Sequence, residues 1–493
     1  MDRSSGILLS ISSLPSPYGI GTLGKAAYEF VDFLAEAKQG WWQILPVGPT
    51  SMGDSPYQSF SAFAGNPYFI DPDLLIRDGL LKAEEVQTVF WGGDPGYTDY
   101  GVLYQERLPL LEKAFRRGWD RDRDEVRRFE EENAAWLPDY ALFMALKRHF
   151  GMRSWQEWPD EDCRFRRQEA LAGYREKLQD TIHLFVYLQY LFFKQWKALR
   201  AYAQEKQVRI LGDMALYMAL DSADVWAAPE NFQLNEKHEP EAVAGVPPDY
   251  FAEGGQLWGN PLYDYAYMKQ DGFGWWIRRI EGAKKLYDAL RIDHFRGLES
   301  YWAVPAGEKT AKNGRWVKGP GMELLQVLKD RFPGLQFIAE DLGYPTPEVA
   351  QLLKDSGFPG MKVLEFSFDS RDDSSSLPYA YGRNCICYSG THDNETLGGW
   401  LTTALPEDLE KTKRYLGLNK EEGYIRGMLR GGMSTAADLF IAQMQDYLGL
   451  GIEARMNEPG TTSGNWRWRM RPGQITGELA EQIAEMTSLY GRN

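Results

Sequence analysis

Leu290-Arg291-Ile292-Asp293-His294-Phe295 is an apolar, strand-like run that stops on a carboxylate. Two later stretches have the same design. Residues 335–342 read Leu-Gln-Phe-Ile-Ala-Glu-Asp-Leu, and residues 384–393 read Asn-Cys-Ile-Cys-Tyr-Ser-Gly-Thr-His-Asp. One acidic residue at a strand end is ordinary. Three, each led by its own strand, point to a carboxylate site built on one end of a barrel, where catalytic residues come from several strand termini. Paired carboxylates at such an end are the equipment for cleaving a glycosidic bond.

Working outward from these runs, eight strand-like segments stand out by aliphatic, aromatic or β-branched content and by what bounds them. They lie near 6–11, 41–47, 208–215, 290–295, 335–342, 360–368, 384–393 and 451–457. Helical spacing separates them, at 24–38, 321–331, 347–355 and 433–448, and again at 475–490 after the last run. Repeated strand–helix alternation predicts an α/β fold, a (β/α)8 TIM barrel. A doubly wound sheet shares the local pattern, but eight runs with polar residues at several ends favour the barrel. The runs are near-continuously apolar, as in strands covered on both faces.

The uneven spacing predicts one catalytic barrel over 1–493 with insertions. Residues 72–190 read as a mainly helical insertion, with Leu137, Ala141, Leu142, Ala145 and Leu146 at helical spacing. Residues 216–272 form a second insertion. Its stretch 246–261 mixes Pro, Gly and aromatics densely, which suggests a structured loop over the barrel mouth.

Composition narrows the function classes. The 493 residues carry 55 Lys+Arg against 70 Asp+Glu, which argues against nucleic acid or an anionic membrane as partner. The three cysteines, Cys163, Cys385 and Cys387, are too few and too irregular for a disulfide framework. With no apolar run of membrane-spanning length, the expectation is a cytoplasmic protein. Gly19-Ile20-Gly21-Thr22-Leu23-Gly24 matches a dinucleotide fingerprint by letter only, since two prolines separate it from the preceding strand. It reads as a turn at a helix start. None of the five histidines forms a ligand pair, so neither metal nor cofactor is expected.

The three carboxylates differ in surroundings. Arg291 and Asp293 share a strand face, so a fixed cation would keep Asp293 ionised. Glu340 follows an apolar run, where burial and nearby carboxylates would raise its pKa and suit it to general-acid work. Asp341 faces the other way and reads as structural. Asp393 would bind and distort the sugar. Each acid taken singly could instead cap a following helix. His294 and His392 adjoin the acids, as structural hydrogen-bonding groups or as donors to sugar hydroxyls.

Together with Gly53-Asp54-Ser55-Pro56-Tyr57-Gln58, Leu211-Gly212-Asp213-Met214, Arg455-Met456-Asn457-Glu458-Pro459-Gly460 and Gly464-Asn465-Trp466-Arg467, the acidic segments resemble the 4-alpha-glucanotransferases of glycoside hydrolase family 77. These amylomaltases, or disproportionating enzymes, belong to the α-amylase superfamily. The resemblance covers nearly the whole chain. It implies transfer of a 1,4-alpha-D-glucan segment to an acceptor glucan or glucose by retaining double displacement. Asp293 would be the nucleophile, Glu340 the acid/base and Asp393 the transition-state stabiliser. Arg291 and His392 would surround the reacting sugar, with Tyr57 and Asp213 close by. Tyr250 and Phe251 would stand on the acceptor side, and Glu253, Gln256, Trp258, Asn260 and Asn465 would touch glucan. Asp249 and His294 complete the expected substrate contacts.

The resemblance also implies no separate C-terminal β-sandwich domain, and a monomer or homodimer is expected. One departure is Ala215-Leu216-Tyr217-Met218, which lacks the Pro often found there in relatives. An α-1,4-glucan hydrolase, with the same catalytic groups, and a non-catalytic glucan-binding protein are the competing readings.

Overall fold

The barrel strands form one eight-stranded sheet in the order Gly360–Val363, Cys385–Tyr388, Leu439–Gln443, Ser4–Leu8, Trp41–Gln43, Arg209–Met214, Ala289–Ile292 and Gln336–Ala339. The computed structural model describes residues 2–51, 53–248, 253–343, 346–370, 377–461 and 463–493. The strands are β1 (Ser4–Leu8), β2 (Trp41–Gln43), β3 (Arg209–Met214), β6 (Ala289–Ile292), β9 (Gln336–Ala339), β10 (Gly360–Val363), β11 (Cys385–Tyr388) and β12 (Leu439–Gln443). Every pairing in this sheet is parallel. Strand order follows chain order around the ring, and the Ala339 N–H donates to the Pro359 carbonyl at 2.9 Å where β9 meets β10. This is the (β/α)8 barrel that strand–helix alternation predicts. β1, β2, β6, β11 and β12 are buried at every position, as a sheet sandwiched between helices and a filled interior must be.

The strands are shorter than their apolar runs. β6 ends at Ile292 and β9 at Ala339, so Asp293 and Glu340 are the first residues beyond their strands. The last strand differs from expectation. Residues 451–457 are no strand: Ile452–Ala454 is one turn of 3₁₀ helix, and Ile452 is 56% exposed. The eighth strand is Leu439–Gln443, inside the stretch 433–448 that helical spacing marked. Helix occupies only the two ends of that stretch, the close of Tyr424–Ser434 and the single turn Met444–Tyr447. A short, continuously apolar run has no period of its own, so periodicity cannot separate a buried strand from a buried helix.

Between β2 and β3 lie the helices Tyr100–Gly118, Arg123–Glu132, Leu137–His149, Gln168–Lys177 and Gln179–Glu205. The longest of these helices fixes the loop that follows β2. Gln189 exchanges both amide bonds with Gly65, at 2.8 and 2.9 Å, and Gln195 accepts from the Asp71 N–H at 2.7 Å. That loop carries Tyr57.

A second sheet went unread in the sequence. β4 (Ala242–Val246), β5 (Gln256–Pro261), β7 (Ser300–Pro305) and β8 (Arg315–Lys318) pair antiparallel in the order β5-β4-β7-β8. It stands beside the carboxyl end of β6 and presents Trp258 towards His294, at 4.8 Å between ring centroids. Asp249, Tyr250 and Phe251 lie outside the described residues.

Candidate active site

Parallel pairing of β3 with β6 sets Asp213 opposite Arg291, so the two side chains emerge on one face. Arg291 is 3% exposed. Its Nη1 lies 2.8 Å from both Asp213 carboxylate oxygens and 2.8 Å from Asp293 Oδ1. One guanidinium is therefore shared between two acids. The Tyr57 hydroxyl donates to Asp213 Oδ2 at 2.9 Å, and its ring stacks on His392 with centroids 4.9 Å apart. Trp466 packs against both rings at 5.8 Å.

Sharing the guanidinium weakens its hold on Asp293. Burial is the largest influence and pushes its pKa up to about 6; Arg291 opposes that, while Asp213 and Asp393 add to it. Arg291 alone does not hold the group in the ordinary carboxylate range.

Glu340 stands beside Asp293 because β9 pairs with β6, Ala339 against Ile292. Its Oε2 accepts the His294 N–H at 2.7 Å and its Oε1 accepts the Leu342 N–H at 2.9 Å. His294 adopts a left-handed backbone, φ 49°, and this turn just beyond β6 puts its N–H on the Glu340 carboxyl. Burial again dominates. It raises Glu340 to about 8, with Asp293 adding and Arg291 and the two N–H groups opposing. The two acids are separated in the sense that acid–base chemistry requires: Glu340 holds its proton to higher pH than Asp293 does. Asp341 points away, as expected, and accepts from the Met361 N–H at 2.7 Å.

Asp393 is held differently. β11 ends at Tyr388, and Asp393 follows in a loop with its side chain 42% exposed. Its Oδ1 accepts from Asn457 Nδ2 at 2.6 Å and lies 3.4 Å from His392 Nε2. Arg455 Nη2 donates to the Asp393 carbonyl at 2.9 Å.

Tyr57, Asp213, Arg291, Asp293, His392 and Asp393 thus form one connected set, with Glu340 and His294 joined to each other beside it. Burial, with Arg296 next, lowers the His294 pKa to about 3, so its ring is neutral. Its buried Nε2 has no hydrogen-bond partner among the described residues. Gln256 accepts from Trp258 Nε1 at 3.1 Å.

Three other expected contacts are engaged elsewhere. Asn260 is buried, with its amide committed to the Met218 carbonyl and to Gln58. Asn465 closes its own loop, through the Glu458 N–H at 3.0 Å and Thr461 Oγ1 at 2.9 Å. The Glu253 side chain is 98% exposed, 3.4 Å from Lys312. Among the described residues, no group of three His, Cys, Asp or Glu side chains is arranged to hold a metal.

Arg455, Asn457 and Trp466 received no role from the sequence. Their signal was present, since they stand in the Arg455–Gly460 and Gly464–Arg467 motifs, but for Arg455 and Asn457 reading 451–457 as a strand hid it.

The profile of the 4-alpha-glucanotransferase family matches residues 9–476. A 4-alpha-glucanotransferase of Clostridium butyricum is 48% identical over 486 residues, covering 98% of this chain and 100% of that one. A 4-alpha-glucanotransferase of Thermus thermophilus is 46% identical over 504 residues, covering 100% and 99%. The structure of an amylomaltase from Streptococcus agalactiae in complex with acarbose superposes with a TM-score of 0.97 at 44% identity, over 100% of both chains. The chain belongs to the 4-alpha-glucanotransferase family, glycoside hydrolase family 77.

Proposed function

We infer that the chain is a 4-alpha-glucanotransferase that moves a segment of a 1,4-alpha-glucan by retaining double displacement. Asp293 attacks the anomeric carbon, and the bond from that carbon to the 4-oxygen of the leaving glucan breaks. Glu340 gives its proton to that oxygen. A β-linked glycosyl ester on Asp293 results. The 4-hydroxyl of an acceptor then attacks the same carbon, its proton passes to Glu340, and the ester bond to Asp293 breaks. Glu340 ends protonated and Asp293 ionised, ready for the next turnover.

The observation that carries this reading is the placement of Asp293 and Glu340 just beyond the paired ends of β6 and β9, with the higher proton affinity on Glu340. Asp393 is the third carboxylate, stabilising the distorted sugar. Arg291, Tyr57, Asp213 and His392 line the reacting position. His294 offers its Nε2, which has no partner among the described residues, and Trp258 an apolar ring for a glucose face. The acidic balance, 70 Asp+Glu against 55 Lys+Arg, supports neutral glucans as partners over nucleic acids or anionic membranes. Three unpaired, buried cysteines support a reducing compartment, the cytoplasm.

Incubation with maltotriose tests the activity. Glucose together with maltopentaose and longer oligomers is the expected product set. Maltose and glucose alone would show water as the acceptor and replace transfer with hydrolysis.

A further inference from the structure

We propose that Asn457, seated by Arg455, is the positioning residue of Asp393: its amide fixes one carboxylate oxygen and leaves the other for the sugar. This rests on the reading of Asp393 as the third catalytic carboxylate. It goes further in naming what holds that group in place.

The strand ladder does not reach Asp393. Its last contribution is the Ser389 N–H donating to the Ile441 carbonyl at 3.0 Å. Beyond that point side chains hold the loop. Asn394 Oδ1 accepts the Thr391 N–H at 2.9 Å, and Leu397 N–H donates to Asp446 at 2.7 Å. These bonds fix the backbone, not the Asp393 carboxylate. Segment 455–457, which follows the neighbouring strand β12, supplies that constraint. The Asn457 N–H donates to the His392 carbonyl at 3.1 Å while its side-chain amide donates to Asp393 Oδ1 at 2.6 Å. One residue thereby bonds the peptide before Asp393 and the carboxylate itself.

Arg455 braces this clamp. Its Nε donates to the Asn457 carbonyl at 2.8 Å, its Nη2 to the Asp393 carbonyl at 2.9 Å, and its Nη1 to Glu395 Oε1 at 2.5 Å. The guanidinium charge therefore meets Glu395 and leaves the Asp393 carboxylate alone. The electrostatics favour this division. A cation on Asp393 would draw its charge away from the sugar hydroxyls it must accept. A neutral amide orients the carboxylate and leaves that charge in place. Asn457 and His392 both meet Asp393 at Oδ1, and among the described residues no hydrogen bond is made to Oδ2. Misplacing a catalytic group by an ångström costs about 10²-fold in rate.

The experiment compares the parent with Asn457→Ala, Asn457→Asp, Asp393→Asn and the Asn457→Ala/Asp393→Asn double variant. Initial rates are taken with α-maltotriosyl fluoride, whose good leaving group keeps residual activity measurable, and melting temperatures check the fold. Asn457→Ala is expected to lose about 10²-fold in kcat with KM changed by less than about threefold. Asn457→Asp keeps the shape but sets a second carboxylate against Asp393, so it should lose at least as much. In the Asp393→Asn background the further loss from Asn457→Ala should shrink to under about threefold, because residues that act as a unit are not additive.

Asn457→Asp at parental activity would overturn the proposal, since packing alone would then account for Asn457. An undiminished loss from Asn457→Ala in the double variant would overturn it as well. If Asp393→Asn is inactive while Asn457→Ala is not impaired, this inference fails and the role of Asp393 stands. If Asp393→Asn itself retains full activity, the reading of Asp393 fails and takes this inference with it.

Discussion

Asp293 and Glu340 stand one residue beyond paired strands, half-buried and fixed by the ladder, whereas Asp393 hangs in a loop secured by side chains. The contrast assigns work to two parts of the fold. Bond making and breaking sits where the backbone is most constrained. Contact with the hydroxyls of an arriving sugar sits where the carboxylate is still partly open to solvent. A ladder fixes position through many weak bonds, and no single side chain decides it. The loop depends on a few strong ones.

The largest effects belong to the strand-borne pair. Asp293→Asn and Glu340→Gln should each lower maltotriose disproportionation by roughly 10⁴-fold or more, with melting temperature little changed. Parental turnover in either variant, with the fold intact, would remove that residue from the mechanism. Asp393→Asn should lose less, about 10³-fold, because it stabilises the transition state without entering a covalent step. A loss equal to that of Asp293→Asn would erase the difference between the two regions.

The pH profile sharpens the comparison next. Asp293 must be ionised to attack, and burial raises its pKa to about 6, so activity falls as pH drops through that value. Glu340 must be protonated to assist departure, and its pKa is about 8, so activity falls as pH rises through that value. kcat/KM with a glucan donor should therefore be bell-shaped, with its top between about 6 and about 8. A fluoride leaving group needs no proton. With α-maltotriosyl fluoride the alkaline limb should disappear from the glycosylation step while the acid limb remains. An alkaline limb that persists with the fluoride would tie it to a group other than Glu340.

The strand-borne half of the site is legible in the sequence for the same reason that it is rigid. Strand alternation puts Arg291 and Asp293 on one face, and an apolar run announces the burial of Glu340. What the reading of Asp293 left out was burial, the largest influence on its pKa, and one long-range contact. Asp213, from β3, shares the guanidinium that a local view gives to Asp293 alone. The loop-borne half was readable only as motif. Asn457 and Asp393 are 64 residues apart, and no periodicity links them. The misplaced eighth strand compounded this, since reading 451–457 as barrel wall left it no role as a clamp. The antiparallel sheet was missed because β5 lies inside the Pro/Gly-rich stretch 246–261 that reads as loop, and β8 spans only Arg315–Lys318.

The smallest effect separates two asparagines of one segment. Asn457 faces Asp393, while Asn465 closes its own loop through the Glu458 N–H and Thr461 Oγ1. Family resemblance makes Asn465 a glucan contact, yet both ends of its amide are engaged. Releasing it for substrate would break two local hydrogen bonds, each worth about 1 kcal/mol. In the geometry described, Asn465→Ala removes a loop tie at the partly exposed rim. The expected change is about 0.5 kcal/mol or less, roughly twofold in kcat/KM for maltotriose. A tenfold loss confined to KM would show that the amide leaves its loop to meet the sugar. The C-terminal segment would then contribute a substrate contact as well as a clamp.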